Sequence, residues 1–70
     1  MKLSARNCLK GKITSIIEGM VVAKVNVEIG TGETIVSIIT MDSIKGLGLK
    51  VGDEVSAIIK STEVMIGIPD

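Results

Sequence analysis

Two short segments of this chain combine a fixed positive charge with side chains that donate hydrogen bonds. Residues 4–7 read Ser-Ala-Arg-Asn and place Arg6 near Ser4, while residues 60–62 read Lys-Ser-Thr and place Lys60 beside Ser61. A guanidinium or ammonium group next to hydroxyls is the donor set that a compact oxyanion needs, because such an ion only accepts hydrogen bonds. The pattern therefore predicts an anion site.

Only the fold can bring these segments together, inside one subunit or across an interface, because Arg6 and Lys60 lie 54 positions apart. A third segment, residues 40–43 (Thr-Met-Asp-Ser), adds two more hydroxyls. Taken singly, each segment also fits an ordinary polar terminus, turn or helix cap. The three together, in a chain of 70 residues, favour a binding site.

The sequence lacks the residues that common catalytic sites require. The chain has no histidine, so the usual serine–histidine and cysteine–histidine nucleophiles are excluded. Its one cysteine, Cys8, lies in a strand pattern and reads as a packed or exposed thiol. A zinc site built from cysteine and histidine is excluded as well. We expect a binding protein rather than an enzyme, with no metal held directly by protein side chains.

The size and composition of the chain predict one domain, residues 1–70, that associates with copies of itself. A domain this small buries a modest share of its surface and is marginal alone. Yet 46% of its residues are hydrophobic and the mean hydropathy is +0.55. Because so small a core cannot hide that much apolar surface, we expect an obligate oligomer with apolar strands between subunits.

Charge and aromatic content argue against other classes of partner. Lysine plus arginine and aspartate plus glutamate both number 8, and there is no Phe, Tyr or Trp. Without a basic groove or a stacking platform, nucleic-acid binding is disfavoured. No apolar run approaches about 18 residues, which disfavours a membrane span. An unpaired cysteine and no secretion signal indicate a cytoplasmic protein.

The hydrophobic pattern is typical of β-strands joined by short turns. Apolar residues alternate along residues 20–29, and a Gly-Thr-Gly turn leads into residues 34–41, so the two segments should form a hairpin. Residues 34–41 are apolar on both faces, and we expect both to be covered. Asp42 or Ser43 could cap a single helical turn that Gly46 or Gly48 would end. The remaining predicted strands are residues 8–17, 54–60 and 64–68.

These elements predict an all-β fold, a small five-stranded OB-like Greek-key barrel with one short helical turn. The alternative is an open β-sandwich half that a partner subunit completes.

The residues also carry a resemblance to a known family. The Ser-Ala-Arg-Asn segment, residues 19–25 (Gly-Met-Val-Val-Ala-Lys-Val), residues 39–43 (Ile-Thr-Met-Asp-Ser) and residues 59–65 (Ile-Lys-Ser-Thr-Glu-Val-Met) carry it. The chain resembles the molbindins, the small molybdate-binding proteins of the Mop family, over essentially its full length. The resemblance implies an OB-like hexamer, a trimer of dimers. It also implies binding of molybdate or tungstate at subunit interfaces for intracellular storage or homeostasis, without an organic cofactor.

The same resemblance implies which residues contact the ion. One subunit would contribute Ser4, Arg6, Lys60 and Ser61, and a neighbour would contribute Thr40 and Ser43. Asn7 and the backbone of residues 19–22 are further contributors, to this site or to a second class of site. The alternative function is a protein-interaction module of molybdenum cofactor metabolism that does not itself bind the free oxyanion.

Overall fold

A computed structural model describes residues 4–69 as one antiparallel β-sheet with a short helix. The sheet has four strands in the order β3-β2-β1-β4, and each neighbouring pair is antiparallel. In chain order the elements are β1 (Asn7–Glu18), β2 (Val22–Ile29), β3 (Thr34–Thr40), α1 (Met41–Leu47), β4 (Glu54–Ile59) and a 3₁₀ turn (Ser61–Glu63).

β1 is the strand about which the sheet curls. Its first half pairs with β4 and its second half with β2, with a shift of register just after Ile13. The Ile13 N–H donates to the Asp53 carbonyl at 3.0 Å, and the Ile13 carbonyl accepts from Gly52 N–H at 2.8 Å. At Gly11 an added Cβ would lie 2.6 Å from the Glu28 carbonyl oxygen. The bulge and this close approach bend the sheet into a half-barrel.

The concave face of the half-barrel holds a small apolar core. The alternation of β2 points Ala23, Val25 and Val27 inward, where each is at most 4% exposed. Ile13 of β1 joins them, and Ile44 is the one buried residue that α1 supplies. The predicted hairpin is therefore confirmed, with its first strand present from Val22 to Ile29 and residues 20–21 in the preceding turn. Ile44 ties α1 to the sheet.

α1 begins and ends at residues with clear capping geometry. Thr40 is the N-cap, with φ −72° and ψ 152°, and its Oγ1 accepts from Ser43 N–H at 3.0 Å. Gly48 ends the helix at φ 64° and donates to the Ile44 carbonyl. The predicted helical turn is present, but neither Asp42 nor Ser43 is its cap, because β3 stays extended through Thr40. No helix among residues 4–69 is long and apolar enough to cross a membrane.

Residues 64–68, predicted as a fifth strand, form no ladder within the part of the chain that the structure describes. Val64 has extended backbone angles (φ −87°, ψ 124°), and Met65, Ile66 and Ile68 are 91%, 89% and 86% exposed. A strand needs a partner as well as a sequence pattern, and these side chains are exposed rather than packed against the sheet. The five-stranded closed barrel is therefore wrong for a single chain, which leaves β3 and β4 as open edges.

The outer face of β3 also differs from expectation. Ile35 and Ile39 pack against the core, but Val36 and Ile38 on the opposite face are 59% and 61% exposed. The cover predicted for both faces is not supplied by residues 4–69. The open half-structure, the alternative to the closed barrel, describes the chain better.

Candidate oxyanion site

The pairing of β1 with β4 joins the two cation-bearing segments inside one chain. Asn7, which begins β1, is the register partner of Ile59, which ends β4. Arg6 and Lys60 therefore lie just beyond the ladder, on neighbouring strands. Asn7 Nδ2 donates to the Ile59 carbonyl at 3.2 Å and to Ser61 Oγ at 3.4 Å. We call this set the cation cluster; it consists of Ser4, Arg6, Asn7, Lys60 and Ser61.

The cation cluster is accessible and carries two charges that no acidic side chain between residues 4 and 69 neutralises. Among residues 4–69, neither Arg6 nor Lys60 forms an ion pair; the pair that the structure shows is Lys50 Nζ with Asp53 Oδ1, at 3.8 Å. Both cations are exposed, and so are the two serines of the cluster. Uncompensated cations beside exposed hydroxyls form a donor-rich surface that attracts anions.

The hydroxyls of the third segment lie together at the start of α1. The oxygens of Thr40 and Ser43 are 2.9 Å apart, and both residues are exposed; we call them the hydroxyl pair. The apolar turn between β1 and β2 is next to them, because Met41 N–H donates to the Val21 carbonyl at 2.7 Å. Met20, in that turn, is 99% exposed. The hydroxyl pair therefore has an apolar rim.

One chain does not bring the hydroxyl pair to the cation cluster. Thr40 pairs with Val22, which begins β2 at the end of the sheet where β1 finishes at Glu18. The cation cluster is where β1 begins, and β3 and β4 are opposite edges of the sheet. β1 has 12 residues, so the 11 steps between its ends, at about 3.3 Å each, correspond to a path of about 36 Å along the strand. A single small anion cannot contact both groups of one chain.

The remaining features of the described chain offer no competing reactive centre. Residues 4–69 contain no group of cysteine, aspartate or glutamate side chains placed to hold a metal ion, and Cys8 is a free, exposed thiol. A depression of about 930 Å³ is lined partly by Lys10, Lys12, Glu28 and Glu54. Because it mixes both signs of charge, it suits an anion poorly.

The structure also shows an apolar groove that the sequence did not predict. It runs along the concave face between β3 and β4, with a volume of about 810 Å³, and its lining includes Val25, Ile39, Val55 and Ile59. Lys60 of the cation cluster lies on its rim. The excess of apolar residues was a signal that such a surface exists, but its position depends on the order of the strands.

Comparison with known proteins identifies the family. The TOBE domain profile matches residues 3–66, a span that includes both the cation cluster and the hydroxyl pair. The chain belongs to the TOBE domain family.

Within this family the chain is similar to the Mop proteins, which confirms the resemblance seen in its sequence. Molybdenum-pterin-binding protein 3 of Clostridium pasteurianum is 53% identical over 66 residues, which cover 94% of this chain and 97% of that protein. The solved structure of MopII from Clostridium pasteurianum, in an apo form, has a TM-score of 0.91 and 49% identity and covers 96% of this chain and 100% of that one.

A third comparison comes from a structure that holds a ligand. ModG, a cytoplasmic molybdate-binding protein solved with molybdate bound, has a TM-score of 0.93 and 40% identity. The match covers 99% of this chain and 49% of ModG. The likeness therefore includes the half-barrel, the short helix and the tail.

Proposed function

We propose that this chain binds molybdate, or the similar tungstate ion, and holds it for intracellular storage or homeostasis. The observation that carries the proposal is the pairing of β1 with β4, which sets Arg6 and Lys60 side by side without an acidic partner among residues 4–69. Molybdate is a tetrahedral dianion that has no proton at neutral pH and only accepts hydrogen bonds. A relative named for molybdenum-pterin binding and a molybdate-bound structural neighbour support this choice of anion.

The donors available are sufficient for useful affinity. A hydrogen bond to a charged group contributes about 1.5–3 kcal/mol, and micromolar binding requires about 8 kcal/mol. Arg6 and Lys60 supply several N–H donors, and Ser4 and Ser61 supply hydroxyls. Even after desolvation is subtracted, a handful of such bonds accounts for micromolar affinity.

The hydroxyl pair completes the site from a second copy of the chain. Thr40 and Ser43 lie at the far end of the sheet from the cation cluster of their own chain, so they reach an anion only at a neighbour. The apolar turn beside them would then be buried at the interface and would exclude water from the ion. Each site is formed between copies, and the assembly is the predicted hexamer.

The exposed tail supports this assembly. Residues 64–68 are mostly apolar and start three positions after Ser61, and Val64 has extended backbone angles. β3 and β4 leave strand edges open along an apolar groove. A tail inserted into the groove of a neighbour would supply the fifth strand that one chain lacks. It would also bury Met65 and Ile66, which are 91% and 89% exposed in the single chain.

Calorimetric titration of the purified assembly tests the proposed function. We expect heat of binding with molybdate and with tungstate, and a much weaker response to sulfate, which has the same charge but is smaller. Elemental analysis of the protein as purified should find molybdenum or tungsten. An assembly that gives no heat with molybdate and carries neither metal would refute the proposal.

A protein-interaction module is the second candidate, and the exposed outer face of β3 favours it. Val36 and Ile38 would suit an apolar surface on another protein as well as a second copy. Such a module would capture its partner equally well with and without molybdate. Capture that depends on the anion, together with bound molybdenum, favours the oxyanion-binding function instead.

A further inference from the structure

We propose that Asn7 is a positioning residue that directs the hydroxyl proton of Ser61, and so makes the site prefer oxyanions that carry no proton. This inference rests on the proposed oxyanion-binding function. It differs from the prediction that Asn7 contacts the anion itself, and it names the chemical property, a proton on the ligand, that the site would reject.

The hydrogen bonds of the Asn7 side chain leave its amide group no N–H for an anion. The Ile59 carbonyl can only accept, so the amide nitrogen of Asn7, and not its oxygen, must face that carbonyl. The second N–H of the same nitrogen is directed at Ser61 Oγ. Within residues 4–69 nothing donates to the Asn7 amide oxygen, and an oxyanion without a proton is repelled by that acceptor.

The bond from Asn7 restricts the Ser61 hydroxyl. A hydroxyl has one proton to donate and two lone pairs that accept. Because an Asn7 N–H occupies one lone pair, the Ser61 proton must be directed away from Asn7. Ser61 is exposed, and an anion held by Lys60 and Arg6 would lie next to it, so under this proposal the hydroxyl meets the anion as a donor.

The hydroxyl pair has the same arrangement. Ser43 N–H donates to Thr40 Oγ1 at 3.0 Å, and the Thr40 hydroxyl donates to Ser43 Oγ at 2.9 Å. The Ser43 hydroxyl proton remains for the ligand. The seven predicted ligand residues include no carboxylate. Sulfate and molybdate bring no proton to such a site. Hydrogen phosphate must donate one, and the predicted ligand residues offer it only neutral acceptors, the Asn7 amide oxygen and hydroxyl lone pairs, with no carboxylate.

A double-mutant cycle tests whether Asn7 acts through Ser61. The variants are Asn7→Ala, Ser61→Ala and the double substitution, with molybdate affinity measured by calorimetry on the full chain. We expect Asn7→Ala to weaken binding about fivefold in the wild-type background, as the loss of one oriented hydrogen bond does, and by less than about twofold beside Ser61→Ala. Equal losses in both backgrounds would make Asn7 an independent contact and overturn the inference.

Competition between sulfate and hydrogen phosphate tests the preference itself. At about pH 8 both are tetrahedral dianions of similar size, and they differ in the proton. We expect sulfate to displace molybdate from the wild type at about tenfold lower concentration than phosphate. In Asn7→Asp the Ser61 hydroxyl donates its proton to the new carboxylate, so the lone pairs of Ser61 Oγ face the ligand. The preference for sulfate over hydrogen phosphate should then vanish. The new negative charge weakens both dianions alike and cancels in the ratio.

The readouts separate the inference from the function on which it rests. Wild-type protein that does not bind molybdate would overturn both. A wild type that binds molybdate, with a sulfate-to-phosphate ratio unchanged in Asn7→Asp, would overturn the inference alone. Thermal unfolding without anion checks that each variant folds. If Asn7→Asp does not fold, Asn7→Ala replaces it: its freely rotating Ser61 hydroxyl should reduce the sulfate preference, and an unchanged preference would contradict us.

Discussion

Arg6 and Lys60 present the same charge to a ligand in different forms. The guanidinium of Arg6 is a planar fork, while the ammonium of Lys60 is a point charge on a flexible stem. The residue types alone predicted an anion site, because the side chains of arginine and lysine donate hydrogen bonds and accept none. Their proximity was not predictable, because it depends on the register that aligns Asn7 with Ile59. The hydrogen bonds of the Asn7 side chain were not predictable either, because they depend on how the start of β1 lies against the end of β4.

We expect Arg6→Ala and Lys60→Ala each to weaken molybdate binding by more than about tenfold, equivalent to about 1.4 kcal/mol. Arg6→Lys keeps the charge but loses the fork, so its affinity should fall between those of Arg6→Ala and the wild type. Lys50→Ala is the matched control, because it removes one cation that is already paired with Asp53. Calorimetric affinities equal to wild type in both alanine variants would show that other residues hold the ion.

At the scale of elements, the sequence predicted what depends on local pattern. The alternation of residues 20–29 and the glycine turn after it were enough for the hairpin of β2 and β3. The pairing of β1 with both β2 and β4 could not be predicted from the sequence. It depends on a bulge in β1, and a bulge leaves no distinct period in the hydrophobic pattern. The strand predicted at residues 64–68 has the right pattern, but within residues 4–69 the sheet offers it no pairing.

Thr40 links the stability of α1 to binding. Its hydroxyl caps the helix by accepting from Ser43 N–H, so Thr40→Ala should lower the free energy of unfolding by about 1 kcal/mol. The same substitution removes one hydroxyl from the proposed site and should weaken molybdate binding. Thr40→Ser keeps the cap and the hydroxyl, and both properties should stay near wild type in chemical unfolding and titration. Equal behaviour of the two variants would contradict this dual role.

Gly11 and Gly46 form a matched pair for testing the bend of the sheet. Gly11→Ala places a Cβ 2.6 Å from the backbone oxygen of Glu28, so it should destabilise the protein by about 1–3 kcal/mol. Gly46 is inside α1 with nothing within 4 Å of an added Cβ, so Gly46→Ala should stabilise by up to about 1 kcal/mol. Opposite shifts of the thermal midpoint are expected; a midpoint for Gly11→Ala at or above that of the wild type would contradict the account of Gly11.

At the scale of the whole molecule, the apolar excess predicted association, and the structure places that excess on the tail, the groove and the outer face of β3. The sequence could not assign it to those surfaces, because burial depends on which strands pair. The hexamer remains a prediction, since a single chain shows only the surfaces that are left open.

The tail provides the test of assembly. Ile66→Asp puts a charge where the proposed interface is apolar, so sedimentation or light scattering should show a smaller particle at micromolar protein. Molybdate affinity should fall with it, because each site needs a second copy. Ile66→Val retains the apolar contact and should keep both the mass and the affinity. A full-size particle in Ile66→Asp would show that the tail is not buried between copies.

The opposed positions of the cation cluster and the hydroxyl pair fix a stoichiometry under the proposed function. Each chain contributes two different half-sites, the cation cluster near the start of β1 and the hydroxyl pair near its end. Every chain can therefore share an anion with two neighbours. An open row of chains would always leave one half-site unfilled at each terminus, whereas a closed arrangement leaves none. In a closed assembly the number of these anion sites therefore equals the number of chains, whatever that number is.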